Sequence, residues 1–300
     1  MVVIECLKAL LFGIVEGITE WLPISSTGHL ILLEEYISFN GVREGFWSVF
    51  EVVIQLGAIL AVLVLFWNRV WPFSRKGEVL GMIKREQLQL WIKILISCVP
   101  AAVVGLLFDD QINDLFYNSV TVAIMLIVVG VAFILVEQHN KHTQAKVTTL
   151  SGITYSLAFA IGMFQLIAAV FPGTSRSGAT ILGALLLGIG RKAAAEYTFV
   201  LGIPVMFGAS LLRVAKFGLS FTALEYLILL VGMIVAFVVS LICIRFLMDY
   251  IKKHDFKIFG WYRIALGMFW QPLQTVKNHK CFVTNYYQKI AGIGSLFPLR

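Results

Sequence analysis

Long apolar runs constrain this chain more than any other feature. A helix needs roughly 20 apolar residues to cross the hydrocarbon core of a bilayer. Six segments, about 46–67, 92–108, 118–136, 194–212, 222–246 and 258–273, meet or approach that length, the last being short. Composition agrees: 59% of residues are hydrophobic and only 14% charged, against roughly 25% charged in a soluble domain. Too little polar surface remains to cover a water-exposed globule, so the expected class is an all-α integral membrane protein. The start, MVVIECLKALLFGIVEG, has no basic region ahead of its apolar stretch and no small-residue cleavage site, and reads as part of the mature protein.

Two further apolar stretches, about 3–38 and 152–190, are each broken by a proline-led polar motif, PISSTGH and PGTSRSG. Irregular backbone at membrane depth is tolerated only where protein buries it or where it lines a wet cavity. Each stretch is therefore expected to form a re-entrant helical hairpin, both facing one polar cavity. At an offset of 149, Gly13 matches Gly162, Glu16 matches Gln165, Pro23 matches Pro172, Ser25 matches Thr174 and Ser26 matches Ser175; after a four-residue slip, Glu51 and Gly57 match Glu196 and Gly202. One hairpin plus three crossings is an odd number, so a second such unit is inverted. The expectation is six transmembrane helices plus two re-entrant hairpins in one membrane domain, 1–273, with repeat one about 3–136 and repeat two about 152–273. Residues 274–300 form a divergent basic tail.

Loop charge sets the orientation. Arg69, Arg75, Lys76, Lys84 and Arg85 share a side with Lys141, Lys146, Arg191, Lys192, Lys252, Lys253 and Lys257, which belong inside. Both termini then lie outside. The net charge of +7 is that of basic inner loops and excludes no membrane role, whereas nucleic acid is not expected as a partner. Cys6, Cys98, Cys243 and Cys281 form no C-x-x-C pair and read as apolar filler. His139 and His142 read as solvated loop residues rather than metal ligands.

Ionisable groups inside a membrane are expensive and mark function by default. Glu16 and Glu20, spaced i and i+4, share one helix face and repel unless a cation joins them; His29, Arg176 or a divalent metal would serve. Ser25, Ser26, Thr27 and Gly28 lie at the break between two short helices, where backbone N–H groups bind anions, although the hydroxyls also suit N-caps. His29 supplies a proton carrier. The second hairpin contributes Thr174, Ser175, Arg176, Ser177 and Thr180. An arginine among hydroxyls matches phosphate, which takes bidentate donation from guanidinium.

E-G-x-T-E-x-L-P-x-S-S-T-G-H, F-E-V-V-I-Q-L-G at 50–57 and P-G-x-S-R-S-G-A-T at 172–180 together resemble the undecaprenyl-diphosphate phosphatase (bacitracin-resistance) family of bacteria, in order and spacing over about residues 5–270. The resemblance implies a multi-pass enzyme of the bacterial plasma membrane that hydrolyses undecaprenyl diphosphate to the monophosphate carrier used for cell-wall synthesis. It also implies a divalent cation, Mg2+ or Ca2+, and leaves room for a homodimer among membrane lipids. On this reading Arg176 and the hairpin amides hold the diphosphate. Glu16 and Glu20 hold the cation or handle protons, and Ser26 is the nucleophile, with His29 as its base or as the leaving-group acid. Direct attack by water is the alternative mechanism, and a transporter or flippase of polyprenyl phosphate lipid the alternative function.

Overall fold

The computed structural model describes residues 2–73, 84–116, 118–218 and 220–270, without the side chains of 109, 110 and 113. Within them the chain is helical, with one isolated bridge between Val147 and Ile189. In order the helices are α1 (Val2–Thr19), α2 (Ser26–Glu34), α3 (Phe46–Leu65), α4 (Trp67–Val70), α5 (Arg85–Phe116), α6 (Ser119–Asn140), α7 (Tyr155–Val170), α8 (Arg176–Leu186), α9 (Arg191–Phe217) and α10 (Ala223–Tyr250). A final helix, α11, covers 257–270.

Five helical segments, Phe46–Leu65, Arg85–Phe108, Ser119–Asn140, Arg191–Phe217 and Ala223–Tyr250, are long and apolar enough to cross a membrane. This is a multi-pass helical membrane architecture. The segment expected at 258–273 is helical to 270, and the rest of it, the tail 274–300, Arg75, Lys76 and Cys281 lie outside the described residues. The stretches 3–38 and 152–190 are each split into two helices, α1 and α2 in one, α7 and α8 in the other.

Helix starts are set by side chains that answer otherwise unpaired N–H groups. Asn118 caps α6, Thr154 caps α7, and Thr222 with Glu225 forms a capping box at α10. The broken helices dock on long ones: α1 packs on α10, α7 on α5, and α8 on α9 and α6. Two glycines allow the first two of these contacts. A Cβ on Gly13 would lie 2.6 Å from the carbonyl oxygen of Gly232 in α10, and one on Gly162 would lie 2.5 Å from that of Ser97 in α5. Any larger residue forces each broken helix outward, so these positions fix how deeply the motifs sit.

Candidate active site

The site begins as two helix starts of the same construction. Ser25, the N-cap of α2, has φ 76° and its Oγ accepts from the Gly28 N–H; Ser175, the N-cap of α8, has φ 69° and accepts from the Gly178 N–H. They are the non-glycine residues with positive φ among the described residues. Such strain persists only where surrounding structure imposes it, and it concentrates at functional sites. These twins also correct the repeat alignment at this point. The offset of 149 pairs Ser25 with Thr174, but the conformational partner of Ser25 is Ser175, one residue further on. The second turn carries an extra residue after its proline, so Pro23 and Pro172 align at one offset and the caps at the next.

The cap register makes Ser26 and Arg176 the first residues of α2 and α8, and both reach one carboxylate. Ser26 Oγ donates to Glu20 Oε2 at 2.6 Å, and Arg176 Nη2 donates to Glu20 Oε1 at 2.8 Å. Ser177 Oγ donates to the backbone oxygen of Glu20 at 3.0 Å. Arg176 Nη1 donates to the Thr198 carbonyl at 2.9 Å, and the missing side chain of Gly202, 2.8 Å from the guanidinium, makes room for it. Thr180 supports the start of α8, its hydroxyl donating to the Arg176 carbonyl and accepting from Thr198.

Glu16 is fully buried, and neither carboxylate oxygen has a hydrogen-bond partner among the described residues. The charged groups close enough to act on it are Glu20, Glu51 and Arg176. A bare buried carboxylate beside two others has to be answered by a cation or a proton. Among the described residues no three His, Cys, Asp or Glu side chains converge on one point. A hard cation at Glu16 and Glu20 would therefore take further oxygens from hydroxyls, water or a substrate phosphate, as Mg2+ commonly does. The donors present fit that group.

His29 departs from the role expected for it. Its Nδ1 lies 2.7 Å from the Ser25 carbonyl and its Nε2 2.7 Å from the Tyr262 hydroxyl, with the rings stacked. Both nitrogens are thus engaged away from Ser26. The reason is geometric: a side chain three residues into α2 folds back on its own N-cap carbonyl, while Ser26 turns across to Glu20. A carbonyl only accepts, so Nδ1 carries the proton and Nε2 accepts from Tyr262 in the neutral ring. Thr27 is half-buried and makes no side-chain hydrogen bond among the described residues, and the Thr174 hydroxyl is buried without a partner.

One residue the sequence reading missed is Arg263. It is fully buried in α11 and donates to the carbonyls of Pro23 (3.2 Å), Gly173 (2.8 Å) and Thr174 (2.9 Å). It therefore ties the tip of one broken helix to the tip of the other. The signal was present, an arginine inside an apolar segment, but it stood outside the motifs. Tyr262 gave none.

A sequence profile described as "Bacitracin resistance protein BacA" matches residues 9–269. The chain is 60% identical over 268 residues to an undecaprenyl-diphosphatase of Desulfitobacterium hafniense, covering 89% of this chain and 95% of that one. It is 62% identical over 264 residues to undecaprenyl-diphosphatase 1 of Clostridium acetobutylicum, with 88% and 95% covered. To an undecaprenyl-diphosphatase of Enterococcus faecalis it is 55% identical over 265 residues, again covering 88% and 95%. The residues meeting at Glu20 all lie within the matched span, and the chain belongs to the bacitracin resistance protein BacA family.

Proposed function

We propose that this chain is an integral membrane phosphatase that hydrolyses undecaprenyl diphosphate to undecaprenyl phosphate and inorganic phosphate, returning the lipid carrier to cell-wall synthesis and so conferring bacitracin resistance. The observation that carries the mechanism is the meeting of Ser26 and Arg176 on Glu20. Arg176 offers the terminal phosphate a planar fork of donors, and the amides at the starts of α2 and α8 add more. Glu20 takes the proton of Ser26 as its oxygen bonds to the terminal phosphorus, and the bond to the inner phosphate oxygen breaks. The departing phosphate monoester is a weak enough base to leave without an acid. Water then attacks the phosphoserine, phosphate departs, and Glu20 returns its proton to Ser26. The proton of that water passes through the Tyr262 hydroxyl, which already donates to His29 Nε2. A divalent cation, Mg2+ or Ca2+, held by Glu16 with Glu20, supplies charge neutralisation to the diphosphate when bound.

The same reading gives six crossings and two re-entrant hairpins in inverted repeats, with both termini outside the plasma membrane. Support comes from the twin strained caps and from the close glycine contacts at Gly13 and Gly162, each made to a long helix of the other half. The test is phosphate release from a polyprenyl diphosphate by purified protein, with and without chelator. Release that chelation suppresses and added Mg2+ or Ca2+ restores is expected; no release under any of these conditions defeats the reading.

A further inference from the structure

A second polar cavity, of about 280 Å³, opens where α5 and α9 begin, and is lined among others by Arg69, Lys93, Lys192, Glu86 and Glu196, with hydroxyl side chains from the 148–151 turn. It is separate from the site above. Along α9 it touches residues 192 and 196, whereas Arg176 is seated at Thr198 and Gly202. At about 1.5 Å per residue, Lys192 lies roughly 9–15 Å along the helix from that seat.

The charges in this cavity do not balance. Arg69 and Glu196 form an ion pair. Lys93 is only 7% exposed, yet its ammonium has no carboxylate partner among the described residues. It donates to the Ser151 carbonyl at 3.2 Å and lies 5.8 Å from the Tyr155 ring centroid. Lys192 is exposed and also has no acidic partner there. Among the described residues Glu86, exposed in the first turn of α5, is the single unpaired carboxylate in the lining, against two unpaired ammoniums. A buried ammonium without a counter-charge carries a desolvation penalty that a bound anion offsets. The N-terminal ends of α5 and α9 add N–H groups, α9 having no side-chain cap.

From these placements we infer that the cavity binds one phosphate-bearing anion, distinct from the diphosphate handled at Glu20, with Lys93 and Lys192 as its cationic donors. Two sources share this chemistry, the headgroup of an anionic phospholipid and free inorganic phosphate. Basic pockets between helices on the cytoplasmic side suit such headgroups, and the cavity lies among the loops assigned to that side.

The full chain is tested in two arms against Lys192→Gln and Lys93→Gln. In the first, protein from phosphatidylcholine nanodiscs with or without phosphatidylglycerol is examined by native mass spectrometry. In the second, thermal unfolding in detergent is followed while inorganic phosphate is titrated. The expected result is one phosphatidylglycerol retained by the wild type and lost from both variants, which assigns the lipid. A phosphate-dependent rise in melting temperature that needs about tenfold more phosphate in the variants assigns the free anion instead. Phosphate bound at the catalytic site responds alike in wild type and variants, so equal behaviour of all three proteins in both arms overturns the proposal. Should Lys93→Gln fail to fold, Lys192→Gln decides alone, because that side chain is exposed and unpaired.

Discussion

Ser26, Glu20 and Arg176 form one unit, so each has a distinct signature when changed. Ser26→Ala removes the attacking oxygen and should lower kcat by at least about 10³-fold while a diphosphate lipid still binds. Rapid-quench mass spectrometry of the wild type should find phosphate on Ser26; near-normal turnover by the alanine variant would leave activated water as the attacker. Arg176→Lys keeps the charge but not the fork that spans Glu20 and the Thr198 carbonyl. A loss of about 10²- to 10³-fold in kcat/KM is expected, with only a small fall in melting temperature. Tyr262→Phe deletes one hydrogen bond to His29 Nε2 and should lower kcat about fivefold, the worth of roughly 1 kcal/mol. The 15N resonance of that nitrogen should shift while Nδ1 stays protonated. An unmoved resonance would show that Tyr262 does not hold the ring.

At the scale of elements, the site depends on how α1–α2 and α7–α8 are held tip to tip. Neither pair of helices supplies the whole constellation: Glu20 and Ser26 come from one, Arg176 and Ser177 from the other. Arg263 in α11 bridges their carbonyls from the back. Each hydrogen bond from a charged group is worth roughly 1.5–3 kcal/mol, and a lysine cannot span three separated acceptors. Arg263→Lys should therefore lower the melting temperature more than Arg176→Lys does, and reduce activity with it. Both variants measured by thermal unfolding beside phosphate release test that contrast. An Arg263→Lys protein with wild-type stability would remove the residue from the clamp.

For the molecule as a whole, the basic loops predict the orientation. A cysteine replacing Lys141 should resist an impermeant thiol reagent added to intact cells and react after permeabilisation. A cysteine replacing Ser220, exposed just before α10, should react from outside in intact cells. Reversal of the two patterns inverts the topology.

The class of fold and most of the site's residues were legible in the sequence because the bilayer makes polarity conspicuous. In so apolar a chain, Glu16, Glu20, Arg176 and the serine runs stand out, and the i, i+4 spacing is a local property of one helix. What the residues do to one another was decided only by tertiary structure. Ser26 has His29 three residues away in sequence, yet its hydroxyl donates to Glu20, because the chain reverses between Glu20 and Ser26 at a strained cap. His29 instead meets Tyr262, 233 residues further on, and Arg263 meets carbonyls that no side-chain pattern reveals. Backbone acceptors and partners from distant helices leave no periodic trace in a sequence. They exist only once packing has brought the two helix starts together.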